Sequence, residues 1–162
     1  MAREYNVGGG GLTLANQAVT LVFINPGATQ GFEVIRAWAG QTGTATSAQQ
    51  RCQFNTQITA FPTLTSTTPT KLKFNDPASG ITGGAAGAAG TAGINASAEG
   101  AGTKVVVTND TFNNLNGYLW VPTPNEVIGM SAGIASGFGF HVPVAPTSLS
   151  NWQCGVTYRE LG

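Results

Sequence analysis

An all-β antiparallel sandwich, jelly-roll-like in kind, is the fold this sequence predicts, and three observations carry it. Apolar and polar residues alternate at a period of two in several segments, and turn residues separate these at short intervals. No segment of ten or more residues carries a helical apolar period. Strands without helices to cross between parallel partners pair antiparallel, and a chain of 162 residues is long enough for one such core.

The elements follow in chain order. Residues 4–7 read as a short strand cut off from the body by Gly8, Gly9, Gly10 and Gly11. That break predicts an N-terminal arm and glycine linker over residues 1–11, able to add a strand to a neighbour's sheet edge. Residues 12–162 are then a single sandwich domain. Residues 18–24 form an apolar strand that ends on Asn25-Pro26-Gly27. In residues 32–38, Phe32, Val34, Arg36 and Trp38 share one phase and Glu33, Ile35 and Ala37 the other, so both faces are partly apolar and Glu33 with Arg36 reads as a structural or interfacial charge pair. Residues 51–60 alternate polar Arg51, Gln53, Asn55 and Gln57 with Cys52, Phe54 and Ile58, as a strand with one wet face requires. Residues 71–74, 104–108, 118–121 and 137–142 are further strands. Residues 151–160 repeat the one-wet-face pattern with Trp152, Cys154, Val156 and Tyr158.

Residues 80–102 stand apart, being nearly all Gly, Ala, Thr and Ser with Ile81 and Ile94 as their only larger apolar side chains. Such a segment has little to bury against its ordering entropy. It reads either as a mobile surface loop or as an arm ordered by a neighbouring molecule.

Charge excludes several function classes. Only 9% of residues are charged, against about 25% in an average soluble domain, and seven basic residues balance seven acidic ones. Nucleic acid is therefore not an expected partner, because no Lys/Arg cluster is present to replace phosphate counterions. No window approaches a membrane span, and Met1 to Val7 leads into no signal-like apolar stretch, which predicts no membrane partner and a chain that stays in the cytoplasm or leaves by another route. A surface with so little net charge puts up little repulsion between copies, so self-association or docking on a larger body is expected.

Chemistry is sparse. His141, the sole histidine, sits out of phase with Phe138 and Phe140 and reads as a strand histidine on a polar or interface face. A hydrolytic triad has no other base to use. Among the carboxylates Glu33, Asp76, Glu99, Asp110, Glu126 and Glu160, only Glu33 lies in an apolar run. Cys52 and Cys154 fall on apolar phases and read as two separate buried thiols, with a disulfide between them as the alternative. One His, no CxxC and scattered acids predict no metal, and the glycine runs lack the strand, helix and Lys-Ser/Thr pair of a phosphate loop, so no cofactor and no enzyme activity is expected.

Three segments together resemble a family of small structural proteins of tailed bacteriophages. They are the opening Met1-Ala2-Arg3-Glu4-Tyr5, the stretch Gly117-Tyr118-Leu119-Trp120-Val121-Pro122-Thr123-Pro124-Asn125-Glu126, and the close from Val144-Ala145-Pro146-Thr147-Ser148-Leu149 through Thr157-Tyr158-Arg159-Glu160. That group opens on Met-Ala-Arg-x-Tyr, carries a Trp followed by Pro-Thr-Pro-Glu, and closes on Ala-Pro-x-(Asp)-Ser-Leu, a strand and a Tyr-x-Glu-Glu-like tail. The glycine run after Val7, the Gly/Ala stretch and Asn125 before Glu126 depart from the pattern. The resemblance implies a virion protein made in the host cytoplasm and carried on the capsid surface, a decoration or cement protein. Its partners are then the major capsid protein and itself, as a homotrimer. Arg3, Tyr5, Val7, Ile81 and Ile94 are the residues expected to contact capsid or neighbour, while Trp120, Pro122 and Pro124 read as a structural corner. A head-fibre or tail-associated host-recognition protein is the alternative, and a non-viral β-sandwich binding module the second.

Overall fold

A computed structural model describes residues 3–43, 46–133 and 136–162. Its described residues contain strands and no helix, as the two-residue period dictates. The strands are β1 (Arg3–Leu12), β2 (Val19–Ile24), β3 (Gly31–Gln41), β4 (Gln49–Ile58), β5 (Thr63–Ser66), β6 (Thr70–Lys71) and β7 (Thr82–Gly83). After them come β8 (Thr91–Ala98), β9 (Thr103–Asn113), β10 (Tyr118–Trp120), β11 (Ile128–Met130), β12 (Ser136–Val142) and β13 (Trp152–Leu161). Sheet A runs β10-β3-β13-β1-β6, with β11 also on β3. Sheet B runs β5-β8-β2-β12-β4-β9, with β7 also on β8. All pairings are antiparallel except the short β7–β8 bridge. The two sheets face each other across one apolar layer, a β-sandwich.

The core explains the alternation. Phe54 of sheet B lies edge-on to Trp120 of sheet A at 4.9 Å between ring centroids, and also meets Phe138 and Phe140. Phe112 meets Trp152 at 6.3 Å, nearly perpendicular. Phe32 packs on Tyr158, and Tyr158 on Tyr5. Each side chain of this size that is fully buried contributes about 1.5–3 kcal/mol, so these rings account for much of what holds the sheets together.

The expected N-terminal arm is not an arm. β1 lies between β13 and β6, running in register from Arg3↔Glu160 through Gly9↔Cys154, and Tyr5 and Val7 are fully buried. The glycines are strand residues that other groups approach closely. A Cβ on Gly9 would come within 2.6 Å of Ile94 Cδ1 from the opposite sheet. Across β1, β13 and β3, Gly8, Gly155 and Trp38 form one row. The Trp38 indole lies over Gly155, where a Cβ would meet the ring at 2.1 Å.

The Gly/Ala stretch is corrected in the same way. It contains β7 and all of sheet B's β8, and Ile81 is fully buried and Ile94 nearly so. Its small residues are held by hydrogen bonds: Gly87 N donates to Asn25 Oδ1 at 2.8 Å, Asn25 N to Thr91 O at 2.8 Å, and the Thr91 hydroxyl to Ala88 O at 2.8 Å. Burial of two isoleucines and a satisfied backbone replace the missing large side chains. Smaller corrections concern element ends. β4 stops at Ile58 because Thr59 and Ala60 turn with positive φ, and the expected strand at 71–74 is strand only at Lys71 before the chain bends.

Candidate functional site

His141 stands on β12 opposite Thr20 of β2 and Gln53 of β4, and it is 5% exposed. Glu99 reaches it from the segment between β8 and β9, with Oε2 3.3 Å from His141 Nδ1. Thr20 donates its hydroxyl to Glu99 Oε2 at 2.7 Å and its backbone N–H to Oε1, and Lys104 Nζ donates to Oε2. Burial alone would raise the Glu99 carboxyl, but the bonds from His141, Lys104 and Thr20 outweigh it and hold the pKa at about 2. Sequence reading placed His141 on a strand but missed its partner. The available signal was that Glu99 is the one charged residue between positions 80 and 102.

This cluster does not build a nucleophile–base relay. Such a relay needs the hydroxyl on one imidazole nitrogen and the carboxylate on the other. Here Thr20 Oγ1 and Glu99 Oε2 both lie 3.3 Å from the same Nδ1, and the hydroxyl proton is directed to the carboxylate. What the arrangement does is clasp the β8–β9 connection onto sheet B.

Glu160, Glu4 and Glu33 are tied up in similar ways. Glu160, 5% exposed, accepts from Ser79 Oγ at 2.5 Å and Gly80 N at 2.8 Å through Oε1, and from Gln30 Nε2 at 3.2 Å through Oε2. Tyr5 donates to Pro77 O at 3.1 Å beside it. Glu33 does not pair with Arg36 as expected. Arg159 lies between Glu4 at 3.1 Å and Glu33 at 4.0 Å, while the Arg36 guanidinium sits over the Trp38 ring, 5.0 Å from its centroid. Cys52 and Cys154 are free and buried, which settles the open alternative in favour of separate thiols. Burial pushes both thiols up to about 12, with Asp110 adding to the effect at Cys52, so neither is a nucleophile at neutral pH. Among the described residues no group of three His, Cys, Asp or Glu side chains could hold a metal.

Of the five residues expected to touch a neighbour, only Arg3 is exposed. Tyr5, Val7, Ile81 and Ile94 fill this chain's own core, because the segments carrying them are sheet strands or pack beneath one. Surface recesses lie elsewhere. One of about 290 Å³ is lined by Trp38, Gln41, Asn116, Tyr118, Leu119 and Gln153. Another, of about 320 Å³, is lined by Glu33 and Ile35 of β3, Arg159 of β13, and Pro122, Pro124 and Val127 of the β10–β11 connection. Trp120 anchors that connection against Phe54, and Glu126 N donates to Thr123 O at 2.9 Å to close its turn.

Fold and surface together define a β-sandwich whose polar clusters fasten its own loops. Comparison with protein-family models, curated proteins and solved structures found no match.

Proposed function

We propose that this chain is a structural protein of a bacteriophage virion, a capsid decoration (cement) protein that binds major capsid subunits and stabilises the head. One observation carries the reading: parts of all three segments behind the phage resemblance lie in sheet A. Arg3 to Tyr5 lies on β1, Thr157 to Glu160 is its partner on β13, and Gly117 to Glu126 supplies β10 at the edge of the same sheet. Residues from both ends of the chain thus meet as Arg3↔Glu160 and Glu4↔Arg159. The clusters around Glu99 and Glu160 support a mechanical role, since each fastens a loop to a sheet. Cement action then rests on repeated weak contacts, in which neighbouring copies hold while any one lets go. No membrane or nucleic-acid partner and no catalysis enters this reading, and homotrimers are the assembly that the resemblance implies.

The alternative, a head-fibre or tail-associated protein that recognises a host glycan, draws on the recess beside Trp38 with its amides Gln41, Asn116 and Gln153. Arg36 covers the Trp38 ring, and Gln41 is already bonded to Ser148 and Ser150, which weighs against it. Labelling the chain in purified particles and imaging it separates the two. Many copies spread over the shell support cement; a few copies at one vertex overturn that reading and favour the fibre or tail.

A further inference from the structure

We infer that the bend after β6, with Phe74 and Leu72 at its tip and Arg3, Lys71 and Lys73 around them, is the surface by which this chain docks on its partner. The occupant it fits is an apolar pocket with a carboxylate rim on another protein. That this protein is the major capsid subunit rests on the reading above.

Residues Lys71, Leu72, Lys73, Phe74 and Asn75 are all exposed, and Phe74 is 95% exposed, an aromatic ring almost wholly in water. Leu72 beside it is 51% exposed. Scattered apolar side chains are ordinary on a protein surface, but two at one bend form a contiguous patch rimmed by charge, as interaction sites do.

The bend is built in advance of any contact. Leu72 N donates to Glu4 O at 3.1 Å, and Asp76 N to Lys73 O at 3.1 Å, closing a turn that includes Phe74. The returning chain is fixed by Tyr5 on Pro77 and by Glu160 on Ser79 and Gly80. A preformed protrusion loses little freedom on docking.

Charge sets the chemistry of the partner. Arg3 opens β1 two residues before Tyr5, whose partner across the sheet edge is Lys71, so it stands at the same corner. Among the described residues none of Arg3, Lys71 and Lys73 is in an ion pair. Glu4 is taken by Arg159 and Glu160 by Ser79, Gly80 and Gln30. Asp76, half-buried at the base of the bend, offsets one cation and leaves the corner basic in a chain of zero net charge.

A second copy of the chain offers this corner no such pocket. The recess beside Trp38 and a third one, lined by Phe61, Pro62, Leu64 and alanines, hold no acid. In the recess under the β10–β11 connection Glu33 is paired with Arg159. A bilayer suits the tip no better. A whole myristoyl chain, with far more apolar surface than one Phe and part of a Leu, binds lipid only marginally and reversibly. A protein pocket encloses the ring on all sides, and aromatic side chains are enriched at the buried centre of interfaces, with charge at the rim guiding approach.

Rebinding of the full chain to purified heads that lack it, followed by co-sedimentation over a range of salt, tests the inference. The wild type is expected to bind saturably and to weaken as salt rises. Phe74→Asp is expected to lose about thirtyfold or more in affinity, the effect of removing one enclosed anchor. Lys71→Glu combined with Lys73→Glu is expected to bind several-fold more weakly, with a flatter salt dependence. All three side chains are exposed, so both variants should keep the wild-type thermal transition. Val106→Lys, on the opposite sheet, is expected to bind as the wild type does. Phe74→Asp bound at wild-type strength overturns the docking surface and leaves the capsid reading standing, whereas a wild type that ignores the heads overturns both. Binding to phosphatidylglycerol vesicles in place of heads, lost in Phe74→Asp, overturns the inference in favour of a lipid surface.

Discussion

Thr59 and Ala60 follow β4 with φ of +59° and +37°, a region that costs an L-residue roughly 1–2 kcal/mol and a β-branched one most of all. Thr59→Gly is expected to stabilise the protein by about 1 kcal/mol, read as a higher urea midpoint at unchanged slope. Glu99 gives a second test at this scale. Its carboxyl drops from an ordinary value of 4.5 to about 2 on folding, so the folded state favours the charged form. The resulting stability is fully present above pH 4.5 and is lost as pH falls toward 2, to a limit of about 3 kcal/mol. Glu99→Gln should lower stability at neutral pH and flatten its dependence between pH 4.5 and 2; an unchanged acid profile would reject the clasp. The clasp itself was half legible. An imidazole on a strand could be read from its phase, whereas a carboxylate 42 residues away has no local signature and is brought there by the β8–β9 connection.

At the scale of elements, strands that carry large side chains announce themselves. β3, β4, β12 and β13 follow from alternation because every second residue has an apolar group to bury, and β2 follows from its apolar run. β1 and β8 escape the same reading for one physical reason. Their glycines and alanines have little or no side chain with which to show a face, and what packs against them comes from other strands, Ile94 of β8 on Gly9 of β1 and Leu64 of β5 on Gly93 of β8. β1 also finds its main partner at the far end of the chain, a pairing that no local pattern encodes. The correction changes what truncation should do. A flexible arm could be removed without harm, but deleting residues 1–10 here strips Tyr5 and Val7 from the core and exposes the flank of β13. Those two side chains contribute about 1.5–3 kcal/mol each, before any ladder bonds are counted, against a total stability of about 5–15 kcal/mol. The truncated chain is expected to lose its cooperative thermal transition by near-ultraviolet circular dichroism; a retained transition would restore the arm.

For the whole molecule, the question is how two open sheets manage their edges. Sheet A ends on β10 and β6, of three and two residues, and β11 lies along β3 beside β10. Sheet B ends on β5, of four residues, but its other edge is β9, with eleven. Short edges offer few unpaired backbone groups, and among the described residues β9 is the longest edge strand, a template for another strand. It is also apolar at its centre, with Val105, Val106 and Val107 exposed by 58%, 42% and 48%. Its only visible defences are a register shift opposite Phe54/Asn55 and the flanking charges of Lys104 and Asp110. β9 is therefore the expected route to aggregation when the protein refolds at high concentration. Placing a charge there should block strand addition at little cost to the fold, since Val106 is already substantially in water. Val106→Lys is expected to change stability by less than about 0.5 kcal/mol, leave the sedimenting mass unaltered and reduce light scattering during refolding. If scattering persists in Val106→Lys but disappears in Phe74→Asp, the adhesive surface is the exposed Leu72 and Phe74 after β6 and the β9 edge is adequately defended by its register shift.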